Sequence, residues 1–173
     1  MKPDPDIAAA PAPRLALDVM IEAAAWTGAI ADLEDLAKKT VEACLIATGV
    51  PAASLCVMFT DDASVKTLNA QFREQDKPTN VLSFPSFSED DGLGDIAIAF
   101  ETVEREAAAQ GKTLRDHARH LIAHGVFHLL GYDHEDESEA QEMEDLERRL
   151  LARFGVADPY ADPAANRDDG ART

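Results

Sequence analysis

The chain has 173 residues, of which 46% are apolar and 28% are charged, and this length and composition predict one soluble globular domain with a buried core. No apolar run reaches the length of a membrane span and the N-terminus lacks the order of a secretion signal, so we expect a cytoplasmic protein with no membrane partner. The net charge of −17, taken alone, weighs against a nucleic-acid partner, although residues 66–119 are closer to balance, with seven Lys or Arg and ten Asp or Glu.

The first half of the chain predicts alternating strands and helices behind a disordered arm. The arm is residues 1–13, which are rich in Pro, Ala and Asp. The strands are recognised by alternating or continuous apolar runs, and the helices by apolar residues at helical spacing between capping residues. In chain order, the predicted elements are strand 14–22 (RLALDVMIE), helix 31–49 ending at Gly49, strand 53–60 (ASLCVMFT) and helix 61–73 capped by Asp61 or Asp62.

The second half adds two strands and three helices. The predicted elements are strand 81–84, strand 95–100, and helices 101–111, 113–131 and 137–155, with a disordered tail over 157–173. Four strands interleaved with helices indicate an α+β or α/β arrangement around one small mixed sheet. We take the α+β form: a four-stranded mixed sheet packed with about five helices, in one domain over residues 14–156.

The stretch HGVFHLLGYDH, residues 124–134, has the spacing of a metal site. Residues four apart share a helix face, so His124 and His128 can direct ring nitrogens at one ion. Gly131 can end the helix in a left-handed conformation and turn the chain so that His134 becomes a third ligand. Three protein ligands leave a coordination position open, as in catalytic zinc sites. The sequence therefore predicts a metal site at a helix-to-turn junction.

A pair of histidines four apart is usually incidental, but three of the chain's five histidines at this spacing, with glycine at the turn, favour a metal site. Histidine suits zinc, nickel or copper, and we expect one zinc ion. Of the other two histidines, His120 is predicted to lie behind the ligands or in the core, and His117 at the surface.

Gly125 stands where zinc peptidases with the motif H-E-x-x-H-x-x-G-x-x-H carry the glutamate that removes a proton from water. Glycine cannot do this, so peptidase action is disfavoured. Asp133 and Glu135 flank the third histidine, and either can orient a ligand or handle a proton. Equally, either can begin the acidic solvent face, an interpretation that we favour for Glu135. Asp133 is thus the candidate for a catalytic carboxylate.

A second unusual stretch, LNAQFREQDKPTNVLSFP (68–85), places Arg73 at a predicted helix end before a loop. Arg73 can simply cap carbonyl groups or pair with Asp76. Alternatively, its guanidinium lies near the metal, where it suits the oxygens of a phosphodiester. A metal ion with an arginine is a reasonable pair for phosphoryl chemistry, because negative charge develops in that transition state.

The Arg73 loop, GDIAIAFETV (94–103) and the histidine stretch together resemble the YbeY family of bacterial endoribonucleases. The resemblance implies a zinc-dependent single-strand endoribonuclease that acts in 16S rRNA 3′-end maturation and ribosome quality control. It implies ribosomal RNA and the small ribosomal subunit, with associated assembly factors, as partners. It also implies His124, His128 and His134 as metal ligands and Arg73 as a residue needed for activity.

Two alternatives remain. The first is a metallohydrolase for another substrate, such as a peptide or a small phosphoester. The second is a ribosome assembly factor with a structural zinc ion, for which Asp133, Glu135 or a cysteine would supply a fourth ligand. The two cysteines, Cys44 and Cys56, lie in apolar stretches and are predicted to be reduced core thiols.

Overall fold

The computed structural model of the chain describes residues 12–73, 79–88, 90, 92–133 and 135–161. The strands within these ranges are β1 (Arg14–Ile21), β2 (Ala52–Thr60), β3 (Val81–Pro85) and β4 (Gly94–Ala99). The helices are α1 (Ala25–Ala29), α2 (Leu33–Thr48), α3 (Asp62–Arg73), α4 (Phe100–Gln110), α5 (Leu114–Leu129) and α6 (Glu137–Arg153). In the same ranges, every helix is too short or too polar to cross a bilayer.

The α+β class and the four-stranded mixed sheet are confirmed, with six helices in the described residues where about five were predicted. The additional helix is α1, whose five residues are too few to show a helical period. Its position depends on tertiary contacts of Trp26, which is fully buried. The indole N–H donates to the Thr60 carbonyl oxygen at 2.9 Å, and its ring meets Phe59 and Phe100 edge-on.

The strand order in the sheet is β1-β2-β4-β3. β1 and β4 each pair with β2 in parallel, whereas β3 pairs antiparallel with β4, with Ser83 opposite Ile96. β3 is therefore an edge strand, and it carries the end of the Arg73 loop along one side of the sheet.

The two faces of the sheet bury cores of very different size. Ile96 and Ile98 on β4 face the larger core, which is filled from α1, α2, α4, α5 and α6. Ala97 and Ala99 face the opposite side, where Val65 of α3 completes a small cluster. This alternation follows from the period of two along a strand. It puts α3 on one face of β3 and α5 on the other.

Helix α5 runs against the larger core and is well defined at both ends. At its start, the Thr113 side chain accepts a hydrogen bond from the Asp116 amide at 3.0 Å. After its last residue, Leu129, the chain turns at Gly131, which has the predicted positive φ, +101°. In the second half of the helix, Gly125 is buried, and its carbonyl oxygen accepts a hydrogen bond from the Ser83 hydroxyl at 3.4 Å. The histidine helix is therefore attached directly to β3.

Both cysteines are free thiols, Cys44 fully buried and Cys56 half-buried. Burial raises the pKa of the Cys44 thiol well above its ordinary value. This agrees with the prediction of a core thiol for Cys44, whereas Cys56 is only half-buried and does not belong to the buried core.

The predicted disordered ends fall largely outside the described residues, which omit 1–11 and 162–173. Residues 157–161, assigned to the tail from the sequence, are described and contact α6. Asp158 pairs with Arg148 of that helix at 3.1 Å. The segment 157–161 therefore lies beside α6 and, through Tyr160 and His120, beside the histidine helix.

Candidate metal centre

The side chains of His124 and His128 point their Nε2 atoms toward each other. Their Nε2 atoms lie 3.0 Å apart, and their ring centroids are 4.5 Å apart. Both residues are half-buried. Two imidazole nitrogens bound tetrahedrally to one zinc ion, each at about 2.0–2.1 Å, would lie about 3.3–3.4 Å apart. The observed pair needs to open by only a few tenths of an ångström to fit such an ion.

The other ring nitrogen of His124 is held by a buried carboxylate. Glu147 of α6 has no exposed surface, and its Oε1 lies 2.7 Å from His124 Nδ1. Because a carboxylate accepts hydrogen bonds, Nδ1 of a neutral His124 is the nitrogen that carries the proton. The Nε2 lone pair then points toward His128. Histidines that bind metal ions commonly have this kind of carboxylate behind them.

Glu147 is charged although it is buried. Burial acts to raise the pKa of its carboxyl group, but interactions with His120 and His124 outweigh burial and lower that pKa to about 2. The hydroxyl of Tyr160 donates a hydrogen bond to the second oxygen, Oε2. Burial and this hydrogen bond raise the pKa of Tyr160, so the tyrosine remains a phenol and a donor.

The two remaining histidines of α5 have different surroundings. His120 lies behind His124 and His128, as predicted, with its Nε2 3.4 Å from the Tyr160 hydroxyl and 3.6 Å from Glu147 Oε1. The prediction that His117 lies at the surface is wrong, since only 3% of it is exposed. Helix α4 covers His117, and the His117 Nε2 lies 2.9 Å from Oε1 of Glu106 on that helix. Burial lowers the pKa of His117.

The third predicted ligand, His134, lies outside the described residues. Within the ranges that are described, no group of three His, Cys, Asp or Glu side chains is arranged to hold a metal ion. Asp133 is half-buried in the turn after α5, and Glu135 is exposed. The three-histidine set therefore stays a prediction, supported by the paired Nε2 atoms of His124 and His128. The catalytic role of Asp133 also stays a prediction.

Arg73 is the last residue of α3, and its side chain lies outside the described part of the chain. Its neighbour Phe72 packs edge-on against Phe84 of β3, with ring centroids 5.5 Å apart. The residue before Phe84 is Ser83, which bonds to Gly125 next to His124. The end of α3 and the histidine helix therefore contact the same edge strand, β3, from opposite faces.

Asn80 connects the end of the Arg73 loop to the histidine helix. Its Nδ2 donates to Glu106 Oε1 at 2.9 Å, the same oxygen that contacts His117. Its own Oδ1 accepts from the Val81 amide at 2.7 Å. Asn80 therefore forms the turn before β3, as expected from the sequence, and also connects β3 to α4 and, through Glu106, to α5.

We expect Asn80→Asp to lower the free energy of unfolding by about 1–3 kcal/mol near neutral pH. The new carboxylate cannot donate to Glu106 and is repelled by it, which raises the pKa of the new carboxyl group in the folded state. The loss is therefore fully present above that raised pKa and shrinks as the pH falls through it toward the ordinary carboxyl pKa. Urea unfolding at about pH 7 and about pH 5 measures this. Asn80→Ala is the control, because it removes the same hydrogen bond without adding a charge. If its free energy of unfolding changed with pH as much as that of Asn80→Asp, the charge argument would be contradicted.

Sequence patterns did not identify two residues of this centre, Glu147 and Tyr160. Glu147 is the last of nine acids in residues 133–147, which together resemble a solvated face. It nevertheless lies four residues after Met143 and four before Leu151, both buried. An acid within the apolar stripe of a helix was the available signal. Tyr160 had no such signal, because it follows the helix in a stretch predicted to be disordered.

Residues 20–155 match the family model described as Endoribonuclease YbeY. The chain is 50% identical over 157 residues to endoribonuclease YbeY of Rhodopseudomonas palustris strain BisA53, covering 85% of this chain and 91% of that protein. It is 46% identical over 160 residues to endoribonuclease YbeY of Methylocella silvestris, covering 89% and 90%. The fold is similar to the solution structure of TM1509 from Thermotoga maritima, with a TM-score of 0.53 and 24% identity over 84% of this chain and 99% of that one.

Proposed function

The chain belongs to the YbeY endoribonuclease family, and from this premise we propose that it is a single-strand endoribonuclease that depends on one zinc ion. We further propose that it acts in the 3′-end maturation of 16S rRNA and in ribosome quality control. The observation that carries the metal dependence is the convergence of His124 and His128, backed by the buried Glu147. Its partners in this role are ribosomal RNA and the small ribosomal subunit with its assembly factors, in the cytoplasm.

The residues proposed to hold the ion are His124, His128 and His134. When bound, zinc supplies Lewis-acid chemistry at a phosphate oxygen or lowers the pKa of water. The protein's own contribution is to turn both Nε2 atoms toward each other and to leave the Nε2 of His124 free of a proton. The carboxylate of Glu147 does this for His124 by taking the proton on Nδ1.

Arg73 is proposed to bind the scissile phosphate and to stabilise its developing negative charge. The contacts of α3 and α5 with the same edge strand, β3, support this role. Asp133, in the turn after the histidine helix, is proposed to orient a ligand or to accept a proton. Either water or the ribose 2′-hydroxyl group can be the nucleophile. A product with a cyclic phosphate would identify the hydroxyl group, and a product with a 5′-phosphate would identify water.

The charge distribution is compatible with RNA as the substrate. Much of the acidity is on the solvent side of α6, where residues such as Glu142 and Asp145 are exposed. Glu147 faces the opposite way, into the protein, and both of its oxygens accept hydrogen bonds. Since few cations are available to neutralise phosphates, we infer that binding depends on a small number of specific groups, Arg73 among them.

We expect Arg73→Ala to reduce cleavage of single-stranded ribosomal RNA about a hundredfold while the protein keeps its zinc. The arginine stabilises charge on the substrate and is not a metal ligand. Zinc content by mass spectrometry, together with cleavage of a 16S rRNA 3′-end fragment, measures both effects. The matched control is Arg149→Ala, because Arg149 is exposed on α6 and bonds only to the backbone of its own helix in the described structure. Equal cleavage by wild type and Arg73→Ala would point to a contaminating nuclease and would overturn the assignment.

A further inference from the structure

We infer that Glu147 and Tyr160 act as a positioning pair for the metal centre, with the segment after α6 supplying the tyrosine that holds the carboxylate in place. In this arrangement Tyr160 fixes Glu147, and Glu147 fixes the ring orientation and tautomer of His124. The inference rests on the proposed metal dependence. It assigns a function to residues 157–161.

Burying the carboxylate of Glu147 is unfavourable unless both of its oxygens accept hydrogen bonds. A buried carboxylate without hydrogen-bond donors is strongly unfavourable. Here each oxygen has its own donor, because Oε1 accepts from His124 Nδ1 at 2.7 Å and Oε2 accepts from the Tyr160 hydroxyl. The carboxylate is therefore held between the ligand on one side and the tyrosine on the other. Rotation that would release His124 would also break the bond to Tyr160.

Tyr160 is itself held firmly. Asp158 accepts a hydrogen bond from the Tyr160 amide at 2.8 Å. The same carboxylate accepts from the Nε of Arg148, on α6, at 3.1 and 3.2 Å. The phenol ring stands edge-on to His120 at 5.6 Å. Backbone, ion pair and ring packing thus place the hydroxyl group at Glu147 Oε2.

The position of His120 explains why a tyrosine is needed. His120 Nε2 is 3.6 Å from Glu147 Oε1, the oxygen that serves His124. Without the Tyr160 hydroxyl group, the carboxylate is free to turn toward His120 and weaken its bond to the ligand. Tyr160 prevents this by holding Oε2, and it also lies 3.4 Å from His120 Nε2. The expected consequence is a less well oriented His124 and weaker zinc binding.

The test uses two single variants of the full chain, Tyr160→Phe and Glu147→Gln. Tyr160→Phe removes one oxygen atom and keeps the ring, so the protein is expected to fold. Glu142→Gln is the matched control, because Glu142 is exposed on the same helix. Zinc dissociation constants are measured by competition with a chelator. Separately, ¹⁵N-resolved NMR of the metal-free proteins at about pH 8, above the ordinary histidine pKa of about 6.5, shows which nitrogen of His124 carries the proton.

We expect Glu147→Gln to weaken zinc binding about 10–100-fold and Tyr160→Phe to weaken it by a smaller factor of about 3–10, with Glu142→Gln unchanged. Wild-type His124 should carry its proton on Nδ1, and this preference should decrease in Tyr160→Phe. The inference would be overturned if folded Tyr160→Phe bound zinc as tightly as the wild-type protein. It would also be overturned if His124 of the wild-type protein carried its proton on Nε2. If wild type bound no zinc at all, the proposed function would fail. The tautomer of His124 would still decide whether Glu147 orients it.

Discussion

We expect His128→Ala to lose bound zinc and to cleave single-stranded RNA at least about a thousandfold more slowly than wild type, a loss of about 4 kcal/mol in transition-state stabilisation. The Nε2 atom of His128 is one of the two that converge at 3.0 Å, so alanine removes half of the observed donor pair. The protein should still fold, because His128 is only half-buried and alanine favours a helix. Zinc content, thermal unfolding and RNA cleavage, measured on one preparation, separate these effects.

The matched control for His128→Ala is His117→Gln. His117 lies on the same helix and is bound to Glu106, and glutamine keeps a donor for that carboxylate. We expect this variant to retain zinc and activity even if its melting temperature falls. His134→Ala should resemble His128→Ala, because the sequence spacing assigns it the third ligand position. If His117→Gln lost as much zinc as His128→Ala, or if His128→Ala kept wild-type cleavage, the ligand assignment would be wrong.

Local patterns predicted most elements because each depends on neighbours in the chain. Helix α2 ends where expected, with Gly49 in the left-handed conformation at φ +71°. The cap of α3 also follows from sequence, since Asp61 Oδ1 accepts from the Ser64 amide. The order of the strands did not follow, because pairing β2 with β4 instead of β3 is decided by tertiary packing. Helix α1 was missed for a similar reason, since it depends on the burial of Trp26.

In the candidate site, too, the features set by neighbours in the chain were predicted and those set by tertiary packing were not. The spacing of His124 and His128 on a helix predicts their meeting, since both lie on one short element. The carboxylate that orients His124 comes from α6, 23 residues further along the chain. Its donor, Tyr160, comes from a segment with no periodicity. Contacts made between elements carry no fixed spacing in the sequence, so the groups behind the ligands become visible only in the fold.

The missing glutamate of the zinc-peptidase motif has a structural reason that spacing alone did not show. Gly125 is buried where α5 crosses the sheet, and a Cβ placed there would lie 3.0 Å from two side-chain atoms of Ile96. Ile96 is fully buried in β4 and therefore has little room to move. Position 125 thus faces the sheet, and its glycine allows the helix to approach closely. A glutamate there would enter the core, so this helix cannot present the peptidase base at position 125.

We therefore expect Gly125→Glu to lower the free energy of unfolding by at least about 3 kcal/mol and to produce no peptidase activity. Overpacking costs about 1–3 kcal/mol, and a buried, unpaired carboxylate adds a further penalty. Urea unfolding measures the loss, and Gly28→Glu is the matched control, because Gly28 is exposed in α1 and a Cβ there would meet no atom within 4 Å. The control should not be destabilised, and the higher helix propensity of glutamate should stabilise it by up to about 1 kcal/mol.

A smaller substitution tests the same packing when Gly125→Glu fails to fold. Gly125→Ala gains about 1 kcal/mol of helix propensity but forces Ile96 aside, so we expect a net loss of about 1 kcal/mol. The loss should be smaller in an Ile96→Val background, where one of the two closest atoms is absent. A stabilised Gly125→Ala protein would show that the sheet yields easily, and the absence of the glutamate would then need an explanation in the chemistry of the site. A destabilised one, relieved by Ile96→Val, would show that close helix–sheet packing excludes the peptidase base from this histidine motif.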